Sequence, residues 1–284
     1  MAERQHTLVI ADGGACHDGQ FDKQVRLIEA AKAAGCDCYK TQWTSDPHLM
    51  AARRGKALED GYEAIYRRYL NWPQEWHAEL AAKCQAVGVE YMCTCFLKQD
   101  LPVVAPHVQR FKIASFEAAD EEFYYAHEGW KKATIISVGL QDEARIDWIR
   151  RDLAPEDTIM QCTSSYPAPV DSLQLRVMRW WWAKRQDSDP EGECHVGFSD
   201  HSEPRFTWTG ALAVAAGADV VEAHLRLDDT DPSNPDYPHA MTPAQFTSYV
   251  QNIRFAEVCL GSGEKKLQPC EELIGAERDD CGVG

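Results

Sequence analysis

No run of about 18 consecutive apolar residues, roughly the least that spans a bilayer as a helix, occurs in the chain. Residues 1–20 also hold no apolar core of the signal-peptide type, so the expected location is the cytoplasm. Positive charge is scarce: 29 Lys and Arg against 45 Asp and Glu give a formal net charge of −16. That balance argues against non-specific nucleic-acid binding and against an acidic membrane surface. It leaves room for anionic small substrates, because a few local cations can override the global field. C-x-x-C spacing is missing as well. The 11 cysteines are scattered, with C-x-C pairs at Cys36/Cys38 and Cys93/Cys95 whose thiols share one face of a strand. Such pairs suit core packing in a reducing compartment. A disulfide framework belongs to small secreted domains, and a chain of 284 residues is not small.

Hydrophobic content of 44% and charged content of 26% are those of a soluble globular enzyme. The length suits one α/β barrel, typically about 250 residues, or two smaller domains. β-rich runs at 8–14, 36–42, 89–95, 110–115, 133–139, 158–164, 195–201 and 219–225 alternate with amphipathic helices. FDKQVRLIEAAKAAG is the clearest helix, stopped by Gly35, and Gly88 and Gly217 likewise separate a helix from a strand. PAQFTSYVQNIRFAEVCLG closes the set. Eight strands and eight helices in strict alternation predict an α/β fold, a (β/α)8 TIM barrel, with residues 1–284 as one domain. An open doubly wound sheet is the alternative, though it rarely reaches eight uniform units.

Three segments depart from the rhythm. Residues 43–72, a lid-like insertion after the second strand, lie on the catalytic rim and carry Arg53, Arg54 and Lys56. Residues 187–193 read as a polar surface turn, and residues 270–284 as a short acidic tail. Trp180, Trp181 and Trp182 fan out by about 100° per helical residue, so at least one is expected to be exposed or in a subunit contact.

The stretch 194–227 organises the rest. A strand ends in Ser199-Asp200-His201; a helix opened by Glu203-Pro204 and closed by Gly217 follows; a second strand carries His224. Strands joined by one helix run parallel, so His201 and His224 are expected side by side on one rim. Imidazoles so placed make a divalent-metal seat open to substrate; the alternative is two unrelated polar histidines.

Residues at the strand C-termini converge in a barrel. They include Asp12, Lys40, Gln42, Thr94, Lys112, Ser115, Glu117, Ser137, Ser164, Tyr166, Ser199, His201 and His224. Lys40 and Lys112 stand within apolar strands, where a lysine is rare unless paired. With Thr94, Ser115, Ser137 and Ser199 they make a cradle for a phosphate and a carboxylate. The alternatives are internal pairing with Asp or Glu across the barrel and a Schiff-base lysine.

The chain resembles the sialic acid synthases (N-acetylneuraminate synthases), the NeuB-like family. The stretches that carry the resemblance are DGGACHDG (12–19), YKTQ (39–42), FKIASFE (111–117), ISVG (136–139), QCTSSYPAPVDSLQL (161–175), VGFSDHS (196–202), GALAVAAGADVVEAH (210–224), NPDYPHAMTP (234–243) and the closing LGSGEKKLQP. The resemblance implies a transferase that condenses phosphoenolpyruvate with an aldehyde, releasing phosphate and leaving a 2-keto-3-deoxy acid. It implies that Lys40, Thr94, Lys112, Ser115, Ser137 and Ser199 hold phosphoenolpyruvate. His201 and His224 would hold Mn²⁺ or Mg²⁺, which polarises the aldehyde oxygen and lowers the pKa of a bound water. Gln42, Glu117, Tyr166 and Asp236 would face the acceptor, Ser164 stays a substrate-binding candidate by its place at a strand end, and Asp12 or Glu117 would move protons. Partners are these two substrates, with a homodimer as an open possibility and neither nucleic acid nor membrane expected.

Departures from the family pattern are specific. Asp12 stands where Glu is usual, Cys16-His17 for Asn-His, Gln161 for His and Ser164 for Asn. The resemblance ends near residue 270, before the antifreeze-like domain whose arginine reaches an acceptor across a dimer in family members. The phosphoenolpyruvate half of the site is therefore kept more fully than the acceptor half, and an acceptor other than, or simpler than, N-acetylmannosamine is expected. Arg226 shares a strand face with Glu222 and His224. With the lid cations it points to an acceptor bearing a carboxylate or phosphate, unless it pairs with Asp228 or Asp229. Two further readings stand beside this one: a metal-dependent 2-keto acid aldolase or lyase, and a non-catalytic ligand-binding barrel.

Overall fold

The computed structural model describes residues 6–55, 61–181 and 194–271. Lys56, Trp182, the 187–193 turn and most of the acidic tail fall outside them. Eight parallel strands close into a barrel in chain order: β1 (Leu8–Gly14), β2 (Cys38–Trp43), β3 (Glu90–Cys95), β4 (Phe111–Ile113), β5 (Thr134–Ser137), β6 (Thr158–Cys162), β7 (His195–Asp200) and β8 (Val220–His224). This is the (β/α)8 barrel that the alternation predicts. The helices that pack outside it are α1 (Phe21–Ala34), α4 (Trp76–Val87), α5 (Leu101–Val104), α6 (Glu121–Glu128), α7 (Glu143–Asp152), α8 (helical from 176 to 181), α9 (Thr209–Ala215) and α10 (Pro243–Leu260), with α2 (Pro47–Arg53) and α3 (Tyr62–Tyr69) in the segment after β2.

Short polar signals set the helix ends. Asp46, Asp120 and Asp142 accept backbone N–H bonds at the starts of α2, α6 and α7, each worth about 1 kcal/mol. Thr242 and Gln245 form a reciprocal capping box on α10, with Pro243 in the first turn. Gly35 and Gly88 end α1 and α4 in the left-handed conformation. The helix expected from Glu203 begins only at Thr209. The buried Asp200 carboxylate takes the Ser202 amide at 2.9 Å, the Thr209 hydroxyl, and the Tyr249 hydroxyl at 2.9 Å. Those bonds favour a turn before the helix.

Strand alternation then places the site. Ile10, Cys38, Met92, Ile135, Met160 and Val220 pack together as a separate buried cluster. They come from six strands and can meet only inside the barrel, where each large apolar side chain contributes about 1.5–3 kcal/mol. Two residues further along five of these six strands the same inward face turns polar: Asp12, Lys40, Thr94, Ser137 and Glu222. The barrel is thus plugged with hydrocarbon below and lined with polar groups at its C-terminal end. Register brings these groups into adjacent pairs: Asp12 opposite both Lys40 and His224, Thr94 opposite Lys112, and Ser199 opposite Glu222. Outside the barrel, helices and strands share one large core. A smaller cluster of Met50, Ala51, Tyr66, Tyr69 and Leu70 against Ala15, Phe96 and Leu97 seats α2 and α3 on the rim. Trp181 is buried, whereas Trp180 is 39% exposed.

Candidate functional site

A cavity of about 300 Å³ opens at the C-terminal ends of the strands. Its floor is a cluster of opposed charges. Lys40 donates to Asp12 at 2.6 Å and to Thr94 at 3.2 Å, and stands 3.4 Å from Glu222. Lys112 donates to Ser137 at 2.7 Å and to the Ile113 carbonyl at 3.1 Å, and stands 3.8 Å from Glu222. The Ser199 hydroxyl donates to Glu222 at 3.0 Å. The lysines therefore do pair internally, the alternative the sequence left open, while also lining the cavity with Ser115, Ser137 and Ser199. Burial opposes the charge on Lys40, yet Asp12 and Glu222 outweigh it and raise the pKa. At Lys112 burial prevails over Glu222, and the pKa falls below the usual lysine value. Burial would raise the Glu222 carboxyl; Lys112 and Lys40 instead hold it below the usual carboxylate range.

Asp12 links the floor to a histidine cluster. Its Oδ2 is 2.6 Å from Lys40 and 3.4 Å from His224 Nε2, and it also accepts from Gln42 at 3.1 Å. On the far side of the ring, His224 Nδ1 is 3.5 Å from Asp236. Asp236 is fixed by the Ala15 amide at 2.7 Å. Gly14 makes that approach possible: at φ +45° it lies so close that a Cβ would sit 2.3 Å from the Asp236 carboxylate. His239 meets His224 edge to face with ring centroids 4.5 Å apart, and His201 lies 5.4 Å from His224 and 5.8 Å from His239. His201 turns Nδ1 to the Thr163 carbonyl at 3.3 Å and the Cys162 thiol at 3.5 Å, leaving Nε2 for another partner.

His224, Asp236 and His239 offer ligand atoms that all lie within 4.8 Å of one another. Both nitrogens of His239 are buried without hydrogen-bond partners among the described residues, and His224 Nδ1 has only the Asp236 carboxylate at 3.5 Å. Burial, then the neighbouring His224, holds His239 down at a pKa of about 2, so its ring is neutral and its lone pair free. Imidazoles beside a carboxylate are a donor set for a divalent ion, and the residues present fit one; at His224 burial opposes the charge, but Asp12 and Asp236 outweigh it and raise the pKa, so an ion there would displace a proton.

The wall of the cavity is less uniform than the strand ends suggest. Tyr166 is 54% exposed, with its ring 4.5 Å from His201 and 5.0 Å from His239. Arg54, at the end of α2, lines the cavity between the rings of Phe96 and Phe116, at 5.1 and 4.9 Å, and donates to Glu117 at 2.7 Å. Glu117 itself lies behind Arg54 in a neighbouring cavity with Arg53 and Gln141. Ser115 accepts the Gly139 amide at 3.1 Å. Ser164 is not among the lining residues, and neither is Arg226. Arg226 meets neither Asp228 nor Asp229: it donates to the Leu227 carbonyl at 3.1 Å and lies 4.2 Å over the Tyr237 ring, while Arg26 takes Asp229 at 2.8 Å.

Glu222, His239 and Arg54 are parts of the site that strand-end reading leaves unassigned. Glu222 carried a signal, since it precedes His224 by two residues on one strand face. His239 stood in the NPDYPHAMTP stretch, but in an irregular segment between β8 and α10 where strand or helix periodicity assigns no face.

Barrels of this architecture do their chemistry at the C-terminal rim, and the charges, hydroxyls and imidazoles of this rim are those of an enzyme. The NeuB family profile matches residues 27–265. The chain belongs to the NeuB family, and so is a phosphoenolpyruvate-dependent, carbon–carbon bond-forming synthase of the sialic acid synthase type. It is 31% identical, over 94% of its length, to the N,N'-diacetyllegionaminic acid synthase of Legionella pneumophila, 77% of which is covered. To the pseudaminic acid synthase of Campylobacter jejuni it is 29% identical across 91% of this chain and 76% of that one. The solved structure of the N-acetylneuraminic acid (sialic acid) synthetase of Leptospira borgpetersenii superposes with a TM-score of 0.84 at 21% identity, covering 98% of this chain and 93% of that one. That likeness concerns the fold alone.

Proposed function

We propose that the chain joins C3 of phosphoenolpyruvate to the aldehyde carbon of a sugar-like acceptor bearing an anionic group. Water adds at C2, phosphate leaves, and a 2-keto-3-deoxy acid results. The observation that carries this reading is the floor of the cavity, where two buried lysines and three serine hydroxyls face one space. Lys112 and Lys40, with Thr94, Ser115, Ser137 and Ser199, would bind the phosphate and carboxylate of phosphoenolpyruvate through charge-assisted hydrogen bonds. Gln42, Tyr166 and Asp236 would position the acceptor, with Glu117 and Ser164 supporting that side. Arg54 in the wall would supply a cation for a carboxylate or phosphate on the acceptor, with Arg226, outside the cavity, acting only at longer range. Asp12, in contact with Lys40, Gln42 and His224, is placed to hold or pass a proton at the reacting end, with Glu117 as the second candidate. Mn²⁺ or Mg²⁺ held by His201 and His224 would supply Lewis acidity toward the acceptor's carbonyl oxygen.

The test is a panel of anionic and neutral sugar aldehydes incubated with the protein, phosphoenolpyruvate and Mn²⁺. Phosphate release in equal amount to 2-keto acid formed, and only with an aldehyde present, is the expected result. Pyruvate exchange without phosphate release would replace this reading with that of an aldolase. No ligand-dependent turnover with any aldehyde would leave a binding barrel.

A further inference from the structure

We propose that His239 is a metal ligand in its own right. It would complete a seat of three imidazoles and the Asp236 carboxylate, and so make the site select Mn²⁺ and later first-row ions over Mg²⁺. The inference deepens the reading that the rim binds a divalent ion and rests on it. His239 is 2% exposed, and neither ring nitrogen has a hydrogen-bond partner among the described residues. The Asp236 carboxylate lies 4.0 Å from its Nε2. The other described buried histidines behave differently. His77 bonds the Tyr91 hydroxyl at 2.9 Å, His127 the Phe123 carbonyl at 2.7 Å, and His17 the Gly19 amide at 3.1 Å. Burying an imidazole with both nitrogens unmet is destabilising, and a position selected only for packing favours an apolar side chain.

Position argues the same way. The segment carrying His239 is laid along the end of β8 by backbone bonds, Met241 N–H to the His224 carbonyl at 2.8 Å and Arg226 N–H to the Met241 carbonyl at 2.9 Å. Those bonds fix the His239 ring against the His224 ring and beside Asp236, on the wall of the cavity. Hard ions such as Mg²⁺ favour oxygen and water ligands, whereas affinity for imidazole rises along the series from Mn²⁺ towards Cu²⁺. A third imidazole therefore shifts selectivity in one direction.

The experiment uses the full chain and the metal alone, without substrates. Calorimetry with Mg²⁺, Mn²⁺ and Co²⁺, together with the visible absorption of bound Co²⁺, is compared for the parent chain, His239→Phe, His239→Asn and His224→Ala. Tighter Co²⁺ than Mg²⁺ binding in the parent is expected. The His239 variants should weaken Co²⁺ by at least the ~10-fold that even outer partners of a metal site are worth, change its spectrum, and move Mg²⁺ little. Unchanged Co²⁺ affinity and spectrum in both His239 variants, with loss in His224→Ala, would make His239 a packing residue and leave the ion site standing. Retention of Co²⁺ by His224→Ala as well would overturn the site itself. Should His239→Phe fail to fold, judged by circular dichroism, the smaller His239→Asn decides.

Discussion

Replacing Lys112 by Met removes one ammonium from the barrel floor while keeping a long, flexible side chain. The two lysines differ in how fully they are engaged. Lys40 has Asp12 at 2.6 Å, Thr94 at 3.2 Å and Glu222 at 3.4 Å. Lys112 has two neutral oxygens within 3.1 Å and a carboxylate only at 3.8 Å. An ammonium has three donors, so Lys112 keeps one for an incoming anion. A charge-assisted hydrogen bond to phosphate or carboxylate is worth about 1.5–3 kcal/mol, which is roughly ten- to a hundredfold in Kd. Glu222 would not be orphaned, because Lys40 and the Ser199 hydroxyl remain beside it. The loss of stability should therefore stay below the about 3–5 kcal/mol of an uncompensated buried charge. Calorimetry of phosphoenolpyruvate binding, with thermal unfolding measured on the same samples, checks both. Unchanged phosphoenolpyruvate affinity combined with a lower unfolding temperature would show that Lys112 serves only as the counter-ion of Glu222.

Asp100 provides a pH test of the fold: burial raises its carboxyl to about 6, against two long bonds from the Ser45 amide at 3.3 and 3.4 Å. A pKa above the unfolded value means that its contribution is full below about pH 4 and is lost as pH rises through about 6. Asp100→Asn, which stays neutral, should therefore gain about 1–3 kcal/mol relative to the parent at pH 8 and almost nothing at pH 4, and a difference in unfolding temperature that is flat with pH contradicts this. Arg54→Gln should raise the KM for an anionic acceptor by about tenfold and leave that for phosphoenolpyruvate in place; Arg226→Ala should raise it less, since that guanidinium lies on Tyr237 and does not line the cavity. His201→Ala or His224→Ala should abolish turnover while keeping the circular dichroism of the parent, as should excess chelator; full activity in either variant would remove the ion from the chemistry.

The barrel was legible because two local signals agreed: β-rich runs of the right length, and glycines at the helix ends. Disagreement begins where side-chain bonds override local preference. At residues 203–208 the Asp200 carboxylate gathers three donors and delays the helix, which no periodicity announces. The fourth strand was expected to reach Ser115 but stops at Ile113, and Ser115 turns aside to accept the Gly139 amide. Lys40 and Lys112 were conspicuous because a lysine in an apolar strand needs a reason. The reason proved double, since both line the cavity and both face carboxylates. Arg226 shows the limit of counting along a strand: two residues beyond His224 it has already left β8, and its guanidinium lies on Tyr237 rather than in the cavity. His239 lies within the NPDYPHAMTP stretch, but no periodicity assigns it a role, because only the backbone pairing beyond β8 brings it to the other histidines.

The charge arrangement connects the two halves of the site. Lys40 and Lys112 face Asp12 and Glu222, so the floor is close to neutral before any ligand arrives. A buried neutral cluster does not attract a multiply charged anion strongly, and the two carboxylates oppose it at short range. The positive charge needed for tight anion binding must therefore come from a redistribution within the cluster or from its neighbour. Asp12 is the residue through which both routes pass. It touches Lys40 on one side and His224 on the other, and is held in place by Gln42. Its own carboxylate also accepts the Gly14 amide at 2.8 Å, a bond within its own turn that suits a short acid. A Glu there would carry its carboxylate about one methylene further from that turn, towards the lysine. With Asp, the carboxylate stays 3.4 Å from His224 Nε2 while bonding Lys40 at 2.6 Å. The shorter acid thus puts one carboxylate in contact with both the lysine floor and the histidine cluster.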